Sequence, residues 1–259
     1  MNNIRLKNFR NIDDTGVISL RPLTILVGKN GMGKSSVMRL FPLLKQSVEV
    51  SKNGPLLWYS DKGVDFGDFG TVVKHGKNDI EIGFSINYGV SKEETFIINL
   101  TLTIVSAKQN TQPDGISYDY VKNLDIEFLG NKISILFENI NEDKDMQNKA
   151  YVLINGNSCE EVNYEYFMSN IFPVIINNRE EPTIPGFNEL VSLLSENGKL
   201  RYRGPADFIG ISFEEFKNKI SGKEFGYNVK TIYEKIVFAY LPTLMLNIAM
   251  LVRFDADAV

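Results

Sequence analysis

Apolar residues at positions 4, 6 and 9 give the opening stretch the period-two spacing of a short strand over residues 3–10. Residues 16–27, GVISLRPLTILV, read as a second strand, a break at Pro22, and then an apolar run from Leu23 to Val27. A run of that kind predicts a central strand buried on both faces of an α/β sheet. A glycine-rich loop comes next. Beyond it, apolar residues at 37, 40, 41, 44 and 48 follow one helical face, predicting a helix from about Lys34 to Val48 that Pro42 kinks or splits.

From about Trp58 to Ile154 the period shortens. Segments 79–88, 94–105, 124–129, 133–137 and 151–154 alternate in period two or are rich in Ile, Val, Phe and Thr, with turn residues between them. Consecutive strands joined this way predict an antiparallel meander rather than repeated βαβ units. After Glu160 the spacing becomes helical again, over about 160–170, 186–197, 213–220 and 228–250. The expected organisation is an α/β lobe with its antiparallel sheet over 1–159, followed by a helical part over 160–259.

One uncharged stretch, Ile236–Val252, changes the picture only slightly. It falls short of the about 20 apolar residues that span a bilayer, and it contains Tyr240, Pro242, Thr243 and Asn247. A buried or dimer-facing helix is the expectation, with no membrane. The N-terminus carries charge throughout and no apolar signal region. The formal net charge of −4 gives no bulk attraction to nucleic acid, which leaves only a local basic strip to consider. A single cysteine, Cys159, and a single histidine, His75, exclude a disulfide framework and a Cys/His zinc site, and suit a reducing cytoplasm.

The chemistry sits between the apolar run and the first helix. Gly28-Lys29-Asn30-Gly31-Met32-Gly33-Lys34-Ser35 fits G-x-x-x-x-G-K-[ST] at every position. Gly28, Gly31 and Gly33 let backbone N–H groups turn inward towards phosphate oxygens, and the helix starting at Lys34 adds its free N–H groups and dipole. Lys34 is the cation for the β- and γ-phosphates, the Ser35 hydroxyl is the Mg²⁺ ligand, and Ser36 extends the N–H nest. ATP with Mg²⁺ is the ligand so predicted. A small GTPase is disfavoured because no N-K-x-D guanine motif is present, and a P-loop kinase because a long antiparallel meander after the first helix is unusual there.

Asn8-Phe9-Arg10-Asn11, followed by Leu20-Arg21-Pro22-Leu23-Thr24-Ile25-Leu26-Val27-Gly28-Lys29-Asn30-Gly31, resembles the opening of the SMC/RecF/OLD-like group of ABC-type P-loop ATPases. The resemblance implies a P-loop NTPase head lobe of ABC type. It also implies that Asn30 and Gly31 belong to the phosphate loop and that Arg10 and Asn11 lie near the α-phosphate or adenine. Leu43–Ser47, Val64–Phe69 and the Lys74-His75-Gly76 turn are similar to a bacterial branch of these ATPases, several of which serve in phage defence. Heads of this group self-associate by sandwiching ATP and act on a further protein partner or on nucleic acid. The resemblance is close over about the first 90 residues and loose beyond.

The departures are as informative. Such an ATPase needs an apolar strand ending in Asp-Glu and an LSGG-like signature. Val174–Glu181 has Asn177 where Asp belongs, Leu194–Lys199 imitates the signature weakly, and Ile133–Glu138 lies within the meander. All three read as coincidences, so the catalytic acid is unknown and 1–259 is expected to be the N-terminal portion of a longer ATPase. A scaffold that senses ATP without turning it over is the alternative. Among other residues, Gln46 is expected on the helix surface and His75 in an exposed turn. Asp65 and Asp68 are expected to bond local backbone, and Lys199, Arg201, Tyr202 and Arg203 to form a solvated basic face.

Overall fold

The computed structural model describes residues 1–50, 52, 54–89, 95–108, 117–138, 148–165, 170–175, 212–220 and 228–257. Strands β1 (Asn3–Phe9), β2 (Ile12–Asp14) and β3 (Ile18–Ser19) open the chain. The meander follows as β4 (Asp79–Gly89), β5 (Thr95–Lys108), β6 (Ser117–Phe128), β7 (Asn131–Phe137), β8 (Lys149–Ile154), β9 (Asn157–Glu165) and β10 (Val174–Ile175). All belong to one sheet of order β10-β9-β8-β7-β6-β5-β4-β1-β2, with β3 also on β1, and every pairing is antiparallel.

Register follows the hydrophobic pattern, since a one-residue slip would turn every apolar side chain outwards. Ile4, Phe84, Leu100, Ile126, Ile133 and Ile154 line up across six strands and are all buried. One position along, Arg5, Gly83, Thr101, Asp125 and Ser134 form the outward row. A bulge opposite Thr103/Ile104 leaves Lys122 unpaired in the register. It lets both Val121 and Leu124 face the core although they are three residues apart. That break in alternation hides residues 117–123 from a period-two reading.

Helices α1 (Lys34–Glu49), α2 (Phe69–Val72), α3 (Phe213–Lys219) and α4 (Val229–Asp257) complete the α/β fold, with the expected helical C-terminal part. Helix α1 runs unbroken through Pro42 and buries Val37, Leu40, Leu43, Leu44 and Val48. Helix α4 packs against α1, β10 and β4. Its buried stripe runs Ile232, Tyr233, Ile236, Val237, Leu241, Leu244, Met245, Ile248, Ala249 and Val252, at three- and four-residue intervals. Leu246 and Met250 stay exposed. By length and composition α4 passes the test for crossing a membrane. Three of its polar residues, however, bond within the fold. Tyr240 lies 3.2 Å from the Tyr88 hydroxyl, to which Asn247 donates at 3.0 Å, and buried Asn131 donates to Tyr233 at 2.7 Å.

Three expectations need correction. Residues 160–165 are strand rather than helix, because β9 continues the meander through them; the helix expected over 186–197 lies outside the described residues. Leu23–Val27 is not a strand, because no described strand lies beside it to pair its backbone. Leu23, Ile25 and Val27 are 79%, 72% and 87% exposed, and only Leu26 packs on the core. Gln46 is not a surface residue. Buried at 5% exposure, it accepts from Val64 N–H at 2.8 Å and donates to the carbonyls of Val64 (3.1 Å) and Leu57. It thereby clamps the 57–64 loop onto α1.

That clamp has a measurable consequence. Gln46→Leu would keep the volume but remove the partner of one N–H and two carbonyls, all part-buried, at about 1 kcal/mol for each. Chemical denaturation should show a loss of about 2–3 kcal/mol; a loss below 0.5 kcal/mol would mean that water replaces the amide.

Candidate functional site

Helix α1 presents its N-terminus without a cap. Gly33 holds the N-cap position, no side chain bonds the free N–H groups, and the first turn carries no acidic residue. The segment leading to it is built from glycines in left-handed backbone: Gly31 has φ 82° and Gly33 φ 86°, a region that disfavours side chains. A Cβ on Gly33 would also stand 2.5 Å from Ile12 Cγ1. That contact seats the β1–β2 hairpin directly against the start of α1. A Cβ on Gly31 or Gly28 would meet nothing, so the rest of the loop is open to solvent.

Lys34 folds back over this loop. Its ammonium donates to the carbonyls of Gly28 and Lys29, both at 2.7 Å. Met32 N–H closes a turn on Lys29 carbonyl at 3.4 Å, and Val37 N–H reaches Gly33 carbonyl at 3.0 Å to begin the helix ladder. Ser35 is exposed, whereas Ser36 is buried. Asn30 is exposed with Gly28 and Gly31. The arrangement is an exposed, uncapped helix N-terminus with a lysine ammonium laid over the preceding loop, which suits an anion whose oxygens accept several N–H bonds. Gly28, Asn30, Gly31, Gly33, Lys34, Ser35 and Ser36 lie together in this loop and the first turn of α1.

Arg10 and Asn11 occupy the exposed turn between β1 and β2. Arg10 adopts left-handed φ 54° and anchors its N–H on Val72 carbonyl at 2.6 Å. The hairpin brings this turn alongside α1 through Ile12. The Arg10 guanidinium lies 5.7 Å from the Phe66 ring centroid, and Arg39, on α1, lies 4.5 Å from the same centroid. Arg39 also donates to Asp65 carbonyl at 2.7 Å. Phe66 is buried, with its ring edge-on to Phe9 at 5.4 Å. Sequence reading missed Arg39. The available signal was its spacing, four residues after Ser35 and so on the same helical face.

The other singled-out residues are structural. Asp65 accepts from Gly67 N–H at 2.7 Å, and Asp68 caps α2 by accepting from Thr71 N–H at 2.7 Å. The Thr71 hydroxyl and N–H hold the Asp68 carboxyl below its usual range. His75 sits in an exposed turn closed by Lys77 N–H on Lys74 carbonyl at 2.9 Å. No group of three or more His, Cys, Asp or Glu side chains suited to a metal occurs among the described residues. The Asn177–Glu181 and Leu194–Lys199 imitations and the Lys199–Arg203 cluster lie outside the described residues.

The family profile of the AAA ATPase domain matches residues 1–196, three quarters of the chain and all of this site. The chain belongs to that family. No curated protein matches it. A solved structure of the recombination mediator protein RecF with ATP aligns at 13% identity, covering 96% of this chain and 69% of that one. Its TM-score of 0.25 is too low for the superposition to carry weight. Membership of an AAA ATPase domain family makes this an ATP-binding ATPase chain.

For this AAA ATPase domain, Lys34→Ala removes a cation and its two loop bonds without touching the core. The expected outcome is loss of ATP binding in a titration, with a melting temperature within about 4 °C of the parent. Unchanged ATP affinity would sink the assignment of the phosphate loop.

Proposed function

We propose that the chain is the ATP-binding head of an ABC-type ATPase, which takes Mg-ATP at Gly28–Ser35 and uses nucleotide-dependent self-association to control a protein partner. In this reading Lys34 leaves its loop carbonyls for the β- and γ-phosphates, Ser35 supplies the Mg²⁺ ligand, and Ser36 N–H adds to the nest. Arg10 and Asn11, seated beside the loop by the Ile12–Gly33 contact, face the α-phosphate or adenine. The head works in the cytoplasm, in bacterial anti-phage defence or DNA maintenance.

The observation that carries the reading is the apolar run in front of the loop. Leu23, Ile25 and Val27 have the alternation of a sheet strand, yet their side chains and backbone are bare. Exposed apolar surface beside a nucleotide site is characteristic of a surface completed by association. Nucleotide bound at the loop stiffens the segment that precedes it, which couples ATP to that association.

Two measurements test this. Light scattering without detergent should show a larger species with Mg-ATP than without nucleotide, and Lys34→Ala should remove the difference; a monomer at micromolar concentration under both conditions would contradict the proposal. No hydrogen bond or ion pair joins a carboxylate to Gly28–Ser36 among the described residues, so turnover by this chain alone should stay below about 1 s⁻¹. Faster steady phosphate release would show that a catalytic acid is present.

A further inference from the structure

Two guanidinium groups, one on the β1–β2 turn and one on α1, converge on one aromatic ring. Arg10 and Arg39 lie 5.7 and 4.5 Å from the centroid of Phe66, and neither forms an ion pair among the described residues. Nearby carboxylates are committed elsewhere: Asp13 pairs with Lys74, Asp65 accepts from Gly67 N–H, and Asp68 caps α2. Two like charges set against one ring, neither of them ion-paired, favour an anion between them.

The ring is a fixed support. Phe66 N–H donates to Trp58 carbonyl at 2.8 Å, and the ring edge rests on Phe9. Gln46 holds the preceding Val64 by both its N–H and its carbonyl. Both cations therefore lie against a buried ring whose backbone is held on either side. Arg39 is the member carried on the same helix as Ser35. It follows Ser35 by four residues on α1, on the same helical face, and helical side chains lean towards the N-terminus.

From this geometry we infer that Arg39, supported on Phe66, is a specificity-determining residue that reads the terminal phosphate of the nucleotide, with Arg10 as its partner cation towards the other phosphates. The inference rests on the reading of Gly28–Ser35 as the nucleotide loop. Ser35 would hold Mg²⁺, which would offset phosphate charge at that end of the nucleotide. A guanidinium one turn below that hydroxyl gains its anionic partner only when the third phosphate is present. Arg39 then exchanges its single bond to Asp65 carbonyl for charge-assisted bonds to phosphate, which are about twice as strong as neutral ones. The device separates triphosphate from diphosphate, a distinction that Lys34 and the backbone nest make poorly because they also hold the β-phosphate.

The test is titration of the purified chain with Mg-ATP, Mg-ADP and inorganic tripolyphosphate, comparing the parent with Arg39→Gln, Arg39→Lys and Lys34→Ala. Arg39→Gln should lose about tenfold or more in affinity for ATP and for tripolyphosphate, and less than threefold for ADP. That contrast is one that a general loss of fold would not produce. Arg39→Lys keeps the charge without the planar fork and should recover part of the ATP preference. If Arg39→Gln lowers ATP and ADP affinity equally, or leaves the ATP-to-ADP ratio of the parent intact while Lys34→Ala abolishes binding, the inference about Arg39 is wrong and the phosphate loop stands. If Lys34→Ala binds ATP like the parent, the nucleotide loop itself is wrong and the inference falls with it.

Discussion

Helix α1 has one apolar face, and its burial sets the position of everything around it. Val37, Leu40, Leu43, Leu44 and Val48 are removed from water in the same core that takes the inner rows of the sheet. At about 25 cal/mol for each Å² of apolar surface removed from water, that face is what attaches the helix to the sheet. The helix N-terminus is therefore fixed against Ile12, and its polar faces are distributed by geometry alone. Ser35 and Arg39 share one face; Gln46 and Ser47 turn inwards to hold the 57–64 loop. Ser47 accepts from Leu57 N–H at 2.8 Å and donates to Leu43 carbonyl at 2.6 Å. Site and scaffold are thus two sides of one helix.

At the far end of α1 the same economy recurs. Lys52 is buried, and desolvation pulls its ammonium down to about 8. It donates to the carbonyls of Ser47 and, at 3.1 Å, Asn170. A cation placed on the last carbonyls of a helix interacts favourably with its dipole. It also draws the segment before β10 onto α1. The helix is consequently pinned at both ends by contacts distant in sequence, Ile12 at one and Asn170 at the other.

The glycine-rich turn into α1 was legible because its pattern is local: consecutive residues supply the glycines, the lysine and the hydroxyl. The meander was legible wherever a strand alternates without interruption, as in β4 and β7. It was lost at the β6 bulge, where Val121 and Leu124 both turn inwards, and at β9, where the spacing after Glu160 read as helical. Leu23–Val27 shows the opposite failure. Its composition is that of a buried strand, but burial needs a neighbour, and composition does not state which chain segment provides it. Gln46 and Arg39 were misread or missed because their partners, Val64 and Phe66, lie well beyond one helical turn. Only the placement of the 57–66 loop gives those side chains their roles.

The bare Leu23–Val27 segment also bears on how the chain survives at high concentration. Five uncharged residues of high β-propensity, with an unpaired backbone, are the recipe for stacking of copies into cross-β aggregates. The flanks oppose it. Pro22 has no N–H to extend a ladder, and Arg21 and Lys29 place like charges at either end, so stacked copies would repel. Thr24 adds a further brake by accepting from Arg21 N–H at 3.0 Å, which bends the segment's entry into a turn. Gatekeepers of this kind leave an edge open to a fitting partner while discouraging its use by a crowd of identical strands.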